Sequence, residues 1–119
     1  MAWGSKTQIA TALSVAGTEL FSDSFTLNPA ENANIQIIGN SSGTTDDLII
    51  SLYTTLDEST ENWDTVPLFS QELDCTDGND NDITLLVTGV YKARLGFART
   101  GTTDTITTNA YIRKDGVNL

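Results

Sequence analysis

Leu48 to Phe69 reads LIISLYTTLDESTENWDTVPLF. Its first nine residues alternate, with Leu48, Ile50, Leu52, Thr54 and Leu56 on one side and Ile49, Ser51, Tyr53 and Thr55 on the other. A period of two with one apolar side is the signature of a half-buried β-strand. The run then breaks into a loop that carries Asp57, Glu58, Glu61 and Asp64 around Trp63, and VPLF opens the next strand.

The same period recurs along the chain. From Tyr91, YKARLGF sets Tyr91, Ala93, Leu95 and Phe97 against Lys92, Arg94 and Gly96. From Asp104, DTITTNAYIRK turns Ile106, Thr108, Ala110 and Ile112 to the core. DITLLVT contributes Ile83, Leu85 and Val87, and NIQII contributes Ile35 and Ile37. FSDSFTL contributes Phe21, Phe25 and Leu27, with Asp23 out of place on that face. Turn-forming residues separate these runs, as in NPAEN, GNSSGTTDD, DCTDGNDND and RTGTTD. About eight strands at this spacing predict an all-β fold, a single antiparallel β-sandwich of jelly-roll or immunoglobulin-like topology. No window carries a sustained helical stripe. Lys6–Leu13 is ambiguous and reads as an edge strand or an extended arm, with residues 1–8 the candidate arm. Neither a linker nor an internal repeat is expected, so residues 1–119 form one domain.

Composition narrows function. Six basic residues stand against sixteen acidic ones, a net charge of −10, which repels phosphate backbones and anionic lipid; neither nucleic acid nor a membrane is an expected partner. Lys92, Arg94, Arg99, Arg113 and Lys114 all fall in the last third, which raises the idea of two faces of opposite sign that pair between copies. The N-terminus has neither a long apolar core nor a basic leader, so the expectation is a soluble protein made in the cytosol. The chain has no histidine, so Ser-His-Asp and Cys-His chemistry has no base, and one cysteine is too few for a zinc cluster. Cys75, between Asp74 and Asp77, reads as a passive loop thiol. Paired carboxylates are the remaining catalytic raw material, but most lie in loops, and Asp23 and Glu72 have no apparent acidic or aromatic partner.

Two loops invite binding. In DCTDGNDND, Asp77, Asn79, Asp80 and Asp82 are candidate calcium ligands. Counted from Asp77, however, positions six and twelve hold Asp82 and Thr88 where an EF-hand needs glycine and glutamate, so the residues read first as a tight turn. Trp63 is a candidate recognition residue, able to stack on a sugar or anchor an interface. The plainer reading folds it back over the end of the sandwich as a cover for the core.

Several stretches, namely GTELFSDSFTLNPAENANIQI, YTTLDESTENWDTVPLF and GVYKARLGFARTGTTDTITTNAYIRKDGVNL, resemble a family of small β-sandwich proteins encoded among bacteriophage structural genes. The resemblance covers nearly the whole chain and implies a virion structural component without catalytic residues or cofactor. The expectation that follows is a capsid decoration or cement protein, its partners the major capsid protein, other virion proteins and further copies of itself. A tail or fibre component is the near alternative. The Trp63 segment is also similar to a strand–loop–strand pattern, SLDGSxxW, of jelly-roll modules that include carbohydrate-binding ones. Glu58 departs from that pattern, standing where it has glycine. The implied alternative partner is a glycan.

Overall fold

A computed structural model describes residues 4–57 and 62–116. The strands are β1 (Thr7–Val15), β2 (Leu20–Phe21), β3 (Phe25–Thr26), β4 (Glu31–Ser41), β5 (Leu48–Thr55), β6 (Phe69–Leu73), β7 (Asp80–Val87), β8 (Lys92–Arg99) and β9 (Ile106–Gly116). One sheet has the order β1-β9-β4-β7; the other runs β2-β8-β5-β6, with β3 also on β8. The two form a sandwich, and every pairing is antiparallel. The first strand pairs with the last, β2 and β3 with β8, β4 with β7 and β5 with β6. That is one long hairpin rolled into two sheets, the jelly roll, so of the two topologies alternation left open the pairings select this one.

The core is the set of inward positions that alternation marks. Ile35, Ile37, Leu48, Ile50, Leu52, Leu95, Phe97 and Ile106 are fully buried, and Ala110 and Ile112 pack with them. Each large apolar side chain contributes roughly 1.5–3 kcal/mol on leaving water. Cys75 belongs to this core and is not a surface thiol.

Alternation misplaces residues where the ladder slips or stops. Phe21 pairs with Gly96 but Phe25 with Ala93, so four steps on one strand answer three on β8. The extra residue is a bulge, and it flips the side-chain face. Phe25 and Leu27 therefore point inward while Phe21 points out, 38% exposed. Ser22 fills the slip, its hydroxyl accepting the Leu95 N–H at 3.0 Å. Counting β2 and β3 as one bent strand, the eight expected strands are all present. Leu56 lies one residue beyond β5 and is 87% exposed, and Tyr91 lies one residue before β8 and is partly exposed. β1 is an edge strand, as one reading of Lys6–Leu13 had it. It bulges on either side of Ala10, and Ala12 takes a left-handed φ of 45° while its N–H donates to Asn109 Oδ1 at 2.8 Å.

An internal repeat does exist. Gly43-Thr44-Thr45-Asp46 and Gly101-Thr102-Thr103-Asp104 form the two loops, β4–β5 and β8–β9, that cross between the sheets at one end. They lie side by side with an approximate two-fold relation. Asp104 Oδ2 accepts the N–H groups of Thr45 and Asp46, both at 2.8 Å; Asp46 Oδ2 accepts those of Thr103 (2.9 Å) and Asp104 (2.8 Å). Ser42 N–H donates to Thr105 O, and Thr100 N–H to Asp47 O. The hydroxyls repeat the exchange, Thr100 Oγ1 accepting from Asp47 N and Ser42 Oγ from Thr105 N. Both aspartates are buried, and these bonds are what makes burial of their charge tolerable. The Asp46 and Thr45 amides hold the Asp104 carboxyl below its ordinary value of 3.8.

Each glycine of the repeat faces the other loop's carboxylate. A Cβ on Gly43 would collide with Asp104 Oδ1, and one on Gly101 with Asp46 Oδ1. Gly43→Ala and Gly101→Ala should each lower the melting temperature, whereas Gly17→Ala, with open space around it, should not; calorimetry on the three variants decides this. For Asp104 the sign follows from a folded value lowered below the unfolded one. Its stabilisation is complete above about pH 3.8 and is lost as pH falls through the depressed value. Urea unfolding measured from pH 6 down to about pH 2 should show a shallower loss of stability in Asp104→Asn than in the parent.

Candidate functional site

The outer faces of the two sheets differ in kind. On the four-stranded sheet, β4 turns Asn34, Gln36 and Ile38 outward, because Ala33, Ile35 and Ile37 take the core. β9 turns out Asn109, Tyr111 and Arg113 by the same parity. Register aligns them in rows: Gln8, Tyr111, Gln36 and Thr84 across all four strands, then Arg113, Asn34 and Leu86. With strands about 4.8 Å apart, the four-residue row spans roughly 14 Å.

A groove of about 370 Å³ runs over these rows, lined by Lys6, Asn34, Gln36, Thr84, Tyr111, Ile112 and Arg113. Its volume falls in the range of small-ligand sites. The segment before β1 forms one wall. Gly4 N–H donates to Lys114 O at 2.7 Å and Arg113 Nη1 donates to Gly4 O at 3.2 Å, which carries Lys6 over the Tyr111 ring with Nζ 4.2 Å from its centroid. The primary amides of Asn34 and Gln36 each offer two donors and an acceptor, and Tyr111 adds a flat apolar body with a hydroxyl. No carboxylate is among the described residues that line the groove. A second cleft, about 420 Å³, lies between Leu27–Pro29 and Gly89–Tyr91 and is lined mainly by apolar atoms.

The opposite face carries Trp63. Asn62 and Asp64 lay the loop against the end of β5: Thr55 Oγ1 donates to Asn62 O at 2.8 Å, and Thr54 Oγ1 to Asp64 Oδ2 at 3.2 Å. Trp63 is thereby placed on the outer face of the five-stranded sheet and does not cap the core. Its ring is half-buried, with the Arg94 guanidinium 4.6 Å from its centroid and Lys92 Nζ at 5.9 Å. Arg94 also lies 3.8 Å from the centroid of Phe21, whose ring meets Tyr53 edge-on. The Tyr53 hydroxyl donates to Glu19, and burial, followed by the hydrogen bond to that carboxylate, pushes its pKa up. The Arg94 guanidinium thus lies close to both the Trp63 and the Phe21 rings.

The other expected sites divide. Asp57 accepts from Asn62 Nδ2 and Asp64 from Thr54, so these two carboxylates serve separate local bonds; Glu58 and Glu61 lie outside the described residues. In the calcium candidate, Asp77 accepts from Asn79 N–H and Asn81 Nδ2, which lower its pKa, and Gly78 supplies the left-handed turn at φ 76°. Asp80 accepts from Asn40 Nδ2, and Asp82 lies exposed on β7 beside Ile38. Among the described residues no three acidic, histidine or cysteine side chains are gathered for a metal. Desolvation, with Asp47, Asp74 and Asp77 nearby, raises the Cys75 thiol pKa and blunts it. The basic residues do not form one face: Lys92 and Arg94 lie on one sheet and Arg113 on the other, while Arg99 and Lys114 bind the carbonyls of Asp104 and Thr26.

Sequence reasoning passed over Asn34, Gln36, Thr84 and Tyr111, and took Arg113 only as one of a basic set. The signal was present as amides at alternate positions of ENANIQIIGN and as Asn109-x-Tyr111-x-Arg113. It needed the pairing of β4 with β9 to become a surface.

No protein-family model matches the chain, and no curated protein matches it. Among solved structures it is similar to one described as "CBM4 structure and function", a carbohydrate-binding module, at 13% identity and TM-score 0.50, over 89% of this chain and 64% of that one. It is also similar, at 12% identity and TM-score 0.48, to the CBM22-1-GH10 modules of Clostridium thermocellum endo-1,4-beta-D-xylanase 10B complexed with xylohexaose, over 98% of this chain and 27% of that one. The chain thus spans less than two thirds of either. The first likeness establishes a shared β-sandwich fold.

If Arg94 is the cover of Trp63, Arg94→Gln should shift Trp63 fluorescence to the red and lower stability by about 1 kcal/mol. The measurement is made in a Trp3→Phe background, where Trp63 is the sole indole. An unmoved emission maximum would show the ring is shielded by something else.

Proposed function

We propose that the protein is a glycan-binding β-sandwich that acts by contact, without chemistry, and that its ligand lies across the outer face of the four-stranded sheet. The observation that carries this is the groove around Tyr111, where one aromatic ring is framed by amides and Thr84 in aligned rows. Sugars present alternating hydroxyls and C–H faces. Amide pairs answer the hydroxyls with donors and acceptors together, and a tyrosine ring answers the C–H face. A preformed, sheet-borne site of this kind loses little ordering entropy on binding. The carbohydrate-binding module CBM4 shares the sandwich, which supports the same reading. Trp63, the candidate recognition residue of the sequence, is secondary here because it lies on the other sheet, outside the groove. The virion role rests on the sequence resemblance and is compatible with this one, since a particle-borne sandwich would use the same groove to touch a glycan.

Titration calorimetry against a panel of plant, microbial and animal oligosaccharides tests the proposal. The expected result is saturable binding to at least one. Tyr111→Ala should weaken it about tenfold or more, a loss of roughly 1.4 kcal/mol, while leaving the melting temperature in place. Trp63→Ala should leave affinity unchanged. Binding that survives Tyr111→Ala but disappears with Trp63→Ala would move the site to the other sheet.

A further inference from the structure

We infer that the glycan held in this groove is anionic, carrying carboxylate or sulfate groups read by Lys6 and Arg113; this rests on the groove being the glycan site. Sixteen acidic side chains surround six basic ones in this chain, so a cation would ordinarily find a carboxylate close by. Yet two of the six line the groove around Tyr111, whose described lining residues include no carboxylate. Lys6 is exposed and has its ammonium on the Tyr111 ring, and Arg113 is exposed with one bond, from Nη1 to the Gly4 carbonyl. Neither is paired with an acid among the described residues.

Their placement is built, not incidental. The Tyr111 contact holds the Lys6 ammonium over the face of the sheet. Arg113 follows Tyr111 by two positions on β9, so it emerges on the same face roughly 7 Å along the strand. Its Nη2 and Nε edge is the fork that matches a carboxylate or sulfate in bidentate fashion. A neutral sugar would be served by the amides and the ring alone. Two unpaired cations add affinity only when the ligand brings the opposite charge, and they do so against the long-range repulsion of a chain at −10. Such repulsion favours short-range recognition of spaced charges over non-specific capture of polyanions.

The full-length chain is titrated with four probes: cellohexaose, hexagalacturonate, a carrageenan hexasaccharide whose only charges are sulfates, and hexaglutamate. The expected result is that hexagalacturonate or the sulfated oligosaccharide binds about tenfold or more tighter than cellohexaose. Preference between those two separates carboxylate from sulfate as the group recognised. Lys6→Gln and Arg113→Gln should each remove most of that advantage, weakening binding of the charged oligosaccharide several-fold more than that of cellohexaose. Equal affinity for neutral and charged glycans, unaltered by either substitution, overturns the inference and leaves the glycan-binding reading standing. Failure of every glycan to bind removes both. Hexaglutamate binding as tightly as hexagalacturonate overturns the inference in favour of an acidic protein surface, a second copy of this chain included.

Discussion

A chain that rolls into two sheets must cross between them, and at one end of this sandwich two crossings lie against each other with their amides turned inward. The reciprocal Asp46–Asp104 exchange is the constraint on which the rest of the fold depends. Each carboxylate takes two backbone N–H groups from the opposite loop, and Ser41 Oγ adds a third donor to Asp104. Left unbonded, the two buried amides, those of Asp46 and Asp104, would cost about 1–3 kcal/mol each. The exchange also locks the starting register of β4 against β9, at Ser41 and Ile106, and of β5 against β8, at Leu48 and Arg99. Those two pairings are the central ladders of the two sheets, and every outward row is counted from them.

From those registers the two outer faces take different fates. The bulge at Ser22 turns Phe21 outward, where it and Trp63 enclose Arg94 and close the face of the five-stranded sheet with its own side chains. On the four-stranded sheet, among the described residues, no loop folds across β9 and β4, and Gln36, Asn34 and Tyr111 remain partly exposed beside the strap that carries Lys6. The four-stranded sheet thus presents polar side chains and the Tyr111 ring with Lys6 over it, whereas the rings of the five-stranded sheet gather around Arg94.

The acidic turn and the groove use their charges differently. The acidic loops around Asp74, Asp77 and Asp80 spend their carboxylates on their own backbone and on Asn40, Thr76, Asn79 and Asn81, the bonds that a turn of this kind requires. These carboxylates look like a metal site in sequence because Asp and Asn serve both purposes; in space they point to local donors. The groove over Tyr111 has the reverse character, its described lining residues including two cations and no acid.

Alternation by itself determined the strands and nearly the whole core, because side chains on extended backbone must change sides at every residue and only one side can leave water. Ile35, Ile37, Leu48, Ile50, Leu52, Leu95, Phe97 and Ile106 were legible on that ground alone. The residues it misplaced, Phe21, Leu56 and Tyr91, sit where a bulge or a strand end breaks the period, and neither event leaves a mark that hydrophobicity can register. The Gly-Thr-Thr-Asp repeat was in plain view, but its meaning lies in a contact between residues more than fifty positions apart. Which strands pair, whether the sandwich is a jelly roll, which face stays open, and that Asn34, Gln36, Tyr111 and Arg113 share one surface were decided by tertiary structure. Register is a relation between strands, and no single strand contains it.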